Sequence, residues 1–164
     1  MALNQRLKYS LDERGIAYQT LDHREVFTAQ EVAAAAHVPG RQLAKVVIVR
    51  ENGSGHVMVV LPASSRLDLT SLRRVTGRRK LSLAREEEFA GLFPDCDPGA
   101  MPPFGNLYDM PVYVDACFSR VKDFFFQPGN HREVVRMRYD DYERLVRPAV
   151  GEFCLREREK DIGA

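Results

Sequence analysis

Two apolar runs joined by a short glycine-rich loop constrain the fold of this chain more than any other feature. Residues 45–50 read Lys-Val-Val-Ile-Val-Arg and residues 56–61 read His-Val-Met-Val-Val-Leu. The five residues between them, Glu-Asn-Gly-Ser-Gly, have the composition of a hairpin loop. Nearly continuous apolar strands are typical of the buried interior of a sheet. We therefore expect a β-hairpin at the centre of the fold.

Helices and strands alternate on both sides of this hairpin. Leucines recur at a spacing of four over residues 2–14 and Gly15 ends the pattern, which predicts an amphipathic helix. Thr28 and Glu31 form a capping box ahead of an alanine run that Pro39-Gly40 ends. The sequence therefore predicts a mixed α/β fold. Its further helices are 69–76, 85–92 and a last one capped by Asp140, and its further strands are 16–21, 81–83, 112–118, 124–127 and 132–139.

Length and composition indicate one globular domain over residues 1–164, and we expect the charged tail from Glu152 to be loosely held. The first ten residues lack the apolar run of a signal peptide, and no stretch approaches the ~20 apolar residues of a membrane span. We therefore expect a cytoplasmic protein. The three cysteines are far apart and lack metal-ligand spacing, so we expect reduced thiols, no metal and no cofactor.

The first candidate site is the loop at residues 99–105, Gly-Ala-Met-Pro-Pro-Phe-Gly. Its two prolines fix φ near −65° and carry no N–H. Gly99 and Gly105, by contrast, can adopt backbone conformations that other residues cannot. Three amides remain to cradle a carbonyl oxygen or a phosphate, those of Ala100, Met101 and Phe104. The same composition is also typical of an ordinary turn.

Two further candidates lie at strand ends. Lys45 opens the most apolar strand, where an ammonium group needs either solvent or an anionic partner such as a phosphate or carboxylate. Asn130 and His131 follow the Pro128-Gly129 turn, and an imidazole at that place can carry a proton. Both have a structural alternative, since Lys45 can reach solvent from the sheet edge and a turn histidine can simply be solvated.

The motifs of covalent catalysis are missing. The sequence has no GxSxG nucleophile elbow, no P-loop and no GxGxxG loop. Cys96 lies between two aspartates, whose charges should raise the pKa of its thiol, and Cys117 has the surroundings of a packing residue. Neither a serine nor a cysteine nucleophile is expected.

Three motifs occur in an order that resembles the YbaK-like family of aminoacyl-tRNA deacylases, which is related to the editing domain of bacterial prolyl-tRNA synthetases. They are Leu-Ala-Lys45-Val-Val-Ile-Val, the Gly99-x-x-x-Pro103-Phe-Gly105 loop, and Gly129-Asn-His131 ahead of Val-Val-Arg-Met. The similarity covers about residues 16–148. It implies a compact mixed α/β domain in which a largely antiparallel sheet curls toward a barrel, with flanking helices and a cleft for the aminoacyl end of tRNA.

The resemblance also implies roles for individual residues. The lysine matching Lys45 holds the tRNA 3′ end, the loop matching Gly99–Pro103 orients the aminoacyl carbonyl, and the histidine matching His131 borders the pocket. Lys45, Gly99 and His131 are therefore the candidate catalytic residues. The expected substrate-binding residues are Thr28, Ala100, Met101, Pro103, Phe104, Gly105 and Asn130.

The loop departs from the commoner family pattern by reading Ala-Met-Pro between Gly99 and Pro103. An extra proline at position 102 removes one donor, because proline has no N–H. Contacts to a developing oxyanion would therefore come from Gly99, Ala100, Met101 or Phe104. The departure leaves the identity of the amino acid open.

The formal net charge of +1 gives the whole chain no nucleic-acid signature, but basic residues cluster locally. We expect contacts to the tRNA backbone from Arg73, Arg74, Arg78, Arg79 and Lys80, with Arg132, Arg136 and Arg138 on alternate strand positions. The expected partner is aminoacyl-tRNA, and docking on an aminoacyl-tRNA synthetase stays open. Two other functions also stay open, a binding module that does not turn its ligand over and a hydrolase of small esters unrelated to tRNA.

Overall fold

The computed structural model describes residues 4–53 and 55–156, and its centre is the predicted hairpin. Strands β2 and β3 pair antiparallel from Ala44 opposite Pro62 to Glu51 opposite Gly55. They occupy the middle of a five-stranded sheet of order β5-β2-β3-β6-β9, which confirms the central place of the hairpin. The bounds are β2 Ala44–Glu51, β3 Gly55–Pro62, β5 Leu81–Leu83, β6 Val112–Asp115 and β9 Ala149–Gly151.

Two smaller sheets complete the strand framework. One has the order β1-β8-β7 and the other pairs β4 with β10. The pairings β3–β6 and β6–β9 are parallel, and the other strand pairings in the described chain are antiparallel. The bounds are β1 Tyr18–Asp22, β4 Ser65–Leu67, β7 Asp123–Phe126, β8 Glu133–Arg138 and β10 Cys154–Arg156. The mixed α/β class is therefore confirmed, whereas the curling of the sheet toward a barrel stays a prediction.

The helices begin and end largely where local chemistry predicts. In α2 the Thr28 hydroxyl accepts a hydrogen bond from the Glu31 amide while the Glu31 carboxylate reaches back, which is the predicted capping box. Gly15 and Gly77 follow α1 and α3 with positive φ, as terminating glycines do. The bounds are α1 Gln5–Glu13, α2 Ala29–Ala36, α3 Leu69–Thr76, α4 Glu86–Phe89 and α5 Tyr139–Val146.

The largest core cluster lies where α1 and α5 cover one face of the sheets. Leu7 and Leu11 of α1 are fully buried in it, which explains the predicted leucine spacing. Aromatic rings fill its middle, with Phe124 4.4 Å from Tyr142 and Phe104 5.3 Å from Phe126 between ring centroids. A cluster this densely aromatic fixes the position of any loop that inserts a ring into it.

The strands predicted at 16–21, 124–127 and 132–139 have bounds that differ by one or two residues from those of β1, β7 and β8. Three other predicted boundaries were wrong for local reasons. The helix predicted over 85–92 is α-helical only to Phe89 and continues as a 3₁₀ turn over Ala90–Leu92. The strand predicted over 112–118 ends at Asp115, because the Asp115 carboxylate accepts from the Cys117 amide and turns the chain into a 3₁₀ helix. The last helix begins at Tyr139 after an N-cap at Arg138, so Asp140 lies in its first turn and is not its cap.

The prediction of a loose tail from Glu152 was wrong for residues 153–156. Phe153 is 1% exposed, its amide donates to the Asp115 carboxylate at 2.9 Å, and β10 pairs with β4. Residues 157–164, the remainder of the predicted tail, lie outside the described residues. Within the described residues no helix is long and apolar enough to cross a membrane.

Replacing Tyr142 by phenylalanine tests how firmly the core holds the loop at residues 99–105. The fully buried Tyr142 hydroxyl donates to the Pro103 carbonyl at 2.7 Å. Tyr142→Phe should therefore lower the free energy of unfolding by about 1–3 kcal/mol, because it leaves a buried carbonyl unpaired. Urea unfolding measures the change.

The matched control is Tyr139→Phe, which removes a hydroxyl that has no hydrogen-bond partner among the described residues. We expect it to change stability by less than about 0.5 kcal/mol. Equal losses for the two variants would show that the Pro103 contact does not hold the loop.

Candidate functional site

The loop at residues 99–105 runs from the surface into the core. Gly99 is exposed and has a φ of +85°, whereas residues 100–105 are buried. Tyr142 holds Pro103 from below, and a Cβ at Gly105 would lie 2.6 Å from Val112 Cγ2. Gly105 is therefore required by packing. Only the Gly99 end of the loop faces solvent directly.

Two of the loop amides that the sequence predicts to be free are already used. The Ala100 amide donates to the Asp97 carbonyl at 3.0 Å, and the Phe104 amide donates to the Pro102 carbonyl at 2.8 Å. The prediction was wrong for these two residues, because each closes a tight local turn. Within the described residues the amides of Gly99 and Met101 have no acceptor. They are the donors left for a ligand.

His131 lies against the Gly99 end of the loop. Its Nε2 is 2.9 Å from the Pro98 carbonyl oxygen, and a Cβ built on Gly99 would be 3.7 Å from its Cε1. Because a carbonyl only accepts, the neutral ring carries its hydrogen on Nε2 and a lone pair on Nδ1. His131 is 6% exposed, and Nδ1 has no partner in the described chain. Nδ1 is therefore a buried hydrogen-bond acceptor that has no donor among the described residues.

Gln127 is a polar residue of this region that the sequence analysis missed. Its Nε2 donates to the Gly99 carbonyl at 3.4 Å, while its Oε1 is buried without a partner in the described chain. The sequence feature that could have indicated Gln127 is its position, because it is an amide side chain directly after the apolar run of β7. Gln127 and His131 thus both contact Gly99, and each has a buried acceptor without a partner in the described chain.

Asn130 and Thr28 shape the backbone around this point. Asn130 Oδ1 accepts from the Arg132 amide at 2.8 Å and its Nδ2 donates to Glu133 at 3.0 Å, which fixes the turn that carries His131. Thr28 caps α2. Their hydrogen bonds to the protein are structural, and direct contact with substrate stays a prediction for both.

A cleft of about 540 Å³ opens in front of Gly99 and His131. Phe27 forms one wall with a 62% exposed ring, whose centroid lies 4.9 Å from that of His131 in an edge contact. We call this cleft the acidic cleft, because three carboxylates line it that the sequence analysis did not single out. Its lining residues are Glu25, Phe27, Glu86, Asp97, Pro98, Gly99 and His131.

Lys45 lies at the start of β2 and does not line the acidic cleft. It is half-buried and stands opposite Leu61 on β3. Strand alternation puts its side chain on the same side as Leu43, which packs with Val26 next to the cleft residue Phe27. The structure therefore brings Gly99 and His131 together, whereas Lys45 lies outside the acidic cleft, two residues after Leu43, which bridges Phe125 of β7.

The basic residues between 73 and 80 divide into two groups. Arg73 caps the Leu81 carbonyl at 2.9 Å, and Arg78 pairs with Glu51 and donates to the Tyr113 hydroxyl, which raises the pKa of the guanidinium. These two arginines hold β5 and the hairpin end. Three cations stay exposed beside them, Arg74, Arg79 and Lys80. This surface adjoins the turn of the hairpin, because the Asn52 amide donates to the Lys80 carbonyl.

The three predicted arginines of β8 and its start lie on the surface, Arg132 directly before the strand and Arg136 and Arg138 on it, and each has an acidic neighbour. Arg132 is 3.4 Å from Glu25, Arg136 is 2.9 Å from Asp123 and Arg138 is 3.8 Å from Asp140. Exposed pairs of this kind are weak. Their charges are partly neutralised by the protein itself.

Comparison of the chain with known proteins identifies its family. A model of the aminoacyl-tRNA editing domain matches residues 23–145, a range that includes Lys45, Gly99 and His131. The chain belongs to the aminoacyl-tRNA editing domain family. This confirms the family that the three ordered motifs predicted.

Curated members of the editing family match nearly the whole chain. The multifunctional Ser/Thr-tRNA deacylase ProXp-y of Escherichia coli K12 is 28% identical over 154 residues, which cover 92% of each protein. The prolyl-tRNA editing protein ProX of Acetoanaerobium sticklandii is 27% identical over 152 residues, 90% of this chain and 92% of that one. A solved structure of a hypothetical protein has a TM-score of 0.82 at 22% identity and covers 92% of this chain and 99% of its own, which shows the shared fold.

The cysteines of this editing domain are poor nucleophiles. Burial raises the pKa of Cys96 to about 11, with a smaller contribution from the Asp95 charge, so burial and not the flanking aspartates is the main cause. Cys117 is exposed and is not the predicted packing residue. Desolvation nevertheless raises the pKa of its thiol to about 12.

Alkylation rates test this assignment. At pH 8 a thiol with a pKa of about 11 is ionised roughly 100-fold less than one at the ordinary value of 9.0. Iodoacetamide should therefore modify Cys96 about 100-fold more slowly in the folded protein than in guanidinium-unfolded chain, measured by mass spectrometry of the digested protein. Equal rates in the two states would show that the Cys96 thiol is accessible and ionised.

Proposed function

We propose that this protein is a trans-editing hydrolase that cleaves the ester between a misattached amino acid and its tRNA in the cytoplasm. The family supports the class of substrate, and relatives that cover nearly the whole chain are named as deacylases. The observation that carries the proposal is a set of two unused amide donors and two unused acceptors on residues around Gly99, which itself lines the acidic cleft together with His131. An ester under attack by water needs both kinds of group.

The donors suit the carbonyl of the ester. An aminoacyl ester is already activated, so its hydrolysis needs a positioned water, stabilisation of the oxyanion and an acceptor for one proton. In our proposal the Gly99 and Met101 amides donate to the carbonyl oxygen as it gains negative charge. Such a donor typically contributes about 10²-fold or more to the rate.

The acceptors suit the attacking water. We assign one water hydrogen to His131 Nδ1 and the other to Gln127 Oε1, while the water oxygen bonds to the carbonyl carbon. His131 then returns its proton to the ribose oxygen as the ester bond breaks, which releases the free amino acid and a tRNA with an intact hydroxyl. The hydrogen bond from Nε2 to Pro98 keeps the ring in the required tautomer.

The charge of the acidic cleft suits the amino acid and not the RNA. An aminoacyl ester carries a free α-ammonium group, and the carboxylates of Glu86 and Asp97 attract that cation, while the charge of Glu25 is partly neutralised by Arg132. The same carboxylates repel phosphates. We therefore place the aminoacyl group in the cleft and the nucleic acid outside it.

Lys45 is proposed to hold the 3′ end of the tRNA, on the strand next to the cleft wall. Thr28, Ala100, Met101, Pro103, Phe104, Gly105 and Asn130 are proposed to define the substrate pocket, chiefly through the backbone that they fix. The exposed cations Arg74, Arg79 and Lys80 are proposed to contact the tRNA backbone, together with Arg73, Arg78 and the arginines of β8.

Substituting Lys45 tests its proposed role. Lys45→Ala should lower kcat/KM on mischarged tRNA by about 10²-fold or more, because the 3′ end is no longer positioned. Lys8→Ala is the control, since Lys8 is an exposed lysine of α1 paired with Asp12. Deacylation assays on a panel of mischarged tRNAs measure both variants. A Lys45→Ala rate equal to that of wild type would remove Lys45 from the mechanism.

A pair of glycine variants tests the loop. Gly99 and Gly15 both have positive φ, +85° and +67°, so alanine strains the backbone at either position by about 1–2 kcal/mol. Only at Gly99 does the new methyl project beside His131, whereas Gly15 has open space. We expect similar losses of stability from both variants, but a loss of about tenfold or more in kcat only from Gly99→Ala. Equal kcat values would contradict a catalytic place for Gly99.

A further inference from the structure

A second cavity lies away from the acidic cleft and has the opposite charge. Its volume is about 760 Å³, and it opens between the start of β2, the end of β3 and the 3₁₀ helix after β6. We call it the basic groove. Charged and hydroxyl side chains line it, among them Arg41, Ser64, Asp115, Ser119, Arg120, Lys122 and Glu152.

The three cations of the basic groove have no ion-pair partner among the described residues. Arg41, Arg120 and Lys122 are all exposed, and no carboxylate lies within salt-bridge distance of any of them. The arginines of β8, by contrast, each have an acidic neighbour. Three unneutralised cations around one concavity create an attractive field for an anion.

Two carboxylates also line the basic groove, and they differ in whether hydrogen bonds within the protein compensate their charge. Asp115 is 5% exposed and accepts hydrogen bonds from the amides of Cys117 and Phe153, so its charge is already compensated. Glu152 is exposed and has no partner in the described chain. Arginine forks, an ammonium and the Ser64 hydroxyl are donors that phosphate oxygens accept from. The Ser119 hydroxyl already donates to the Ala116 carbonyl at 2.7 Å.

We propose that the basic groove binds the phosphodiester backbone of the tRNA acceptor end and guides it toward the acidic cleft. This rests on the proposed function. Lys122, directly before β7, lines the groove, and Gln127, directly after β7, donates a hydrogen bond to Gly99, which lines the cleft. With a rise of about 3.3 Å per residue the two are about 17 Å apart, a span that a short single-stranded RNA end covers.

The position of Lys45 fits this path. A bridge between Leu43 and Phe125 holds the start of β2 against the middle of β7. Because this bridge is parallel, the chain from Leu43 to Lys45 runs in the same direction as the chain from Phe125 to Gln127, which donates to the cleft residue Gly99. The groove takes phosphates, Lys45 takes the 3′ end, and the cleft takes the aminoacyl group.

Charge reversal in the groove tests the proposal. Arg120→Glu combined with Lys122→Glu should weaken binding of uncharged tRNA by about tenfold or more at 0.15 M salt. It should also reduce the slope of log K against log salt by about 1.4, the value for two contacts to single-stranded phosphates. Fluorescence anisotropy over a salt series measures both quantities.

The matched control makes the same change in net charge elsewhere. Arg14 and Arg147 are exposed, have no ion-pair partner among the described residues and line neither cavity. Arg14→Glu with Arg147→Glu should leave the salt slope close to that of wild type. An equal loss in both double variants would overturn the proposal, because it would show a response to overall charge.

A variant that is expected to strengthen tRNA binding distinguishes a lost phosphate contact from a loss of folding. Glu152→Gln removes the one uncompensated carboxylate of the groove and should tighten tRNA binding by about threefold at low salt. An unchanged affinity for Glu152→Gln, together with a wild-type slope for the Arg120/Lys122 variant, would overturn the groove. If Arg79→Glu with Lys80→Glu then lowered the slope, the phosphates would belong to that surface instead.

A substrate without phosphodiesters separates this proposal from the proposed function. The Arg120/Lys122 variant should lose kcat/KM on mischarged tRNA and retain the wild-type rate on a 3′-aminoacyl adenosine ester. An equal loss on both substrates would overturn the groove as an RNA site. If wild type hydrolyses neither substrate, the proposed function fails, while the binding data on uncharged tRNA still decide the groove.

Discussion

The hydrogen bond from Tyr142 to Pro103 is the contact on which the geometry of the site depends. It joins α5 to the loop at residues 99–105 inside an aromatic cluster that also holds Phe104. Two consecutive prolines make the loop stiff, so a single anchor at Pro103 also sets the direction of Gly99. The other end of the loop is fixed by His131 and by the Asp97 amide, which donates to Gly129. The exposed corner between these anchors has little freedom to move.

The separation of negative and positive side chains between two cavities explains how a nearly neutral chain can bind a polyanion. The formal net charge is +1, yet carboxylates surround the acidic cleft and unpaired cations surround the basic groove. A uniformly basic surface would draw phosphate into the cleft as readily as an ammonium group. In the proposed function, opposite charges near the two ends of β7 favour one orientation of an aminoacyl-tRNA, with its ammonium group at the carboxylates of the acidic cleft and its phosphates near Lys122.

Local chemistry explains which elements the sequence could predict. The hairpin, the Thr28 capping box and the glycine after α3 all depend on residues close together in the chain, and all three are present. The strands β4, β9 and β10 are only three residues long and form through distant pairings, so no periodicity marks them. The site follows the same division. The predicted neighbourhood of Gly99 and His131 is real, whereas the engaged amides of Ala100 and Phe104 and the carboxylates of the cleft depend on tertiary placement.

The unused polar atoms beside Gly99 argue that this corner of the fold is shaped for a ligand. A buried polar atom without a partner costs about 1–3 kcal/mol, and His131 Nδ1 and Gln127 Oε1 are both of this kind in the described chain. A site built only for stability would replace His131 by an apolar ring against Phe27. Donors and acceptors that lie unused at the same corner are instead matched by a group that presents both, as an ester carbonyl with an attacking water does. Binding of that group then recovers the cost that the folded protein alone carries.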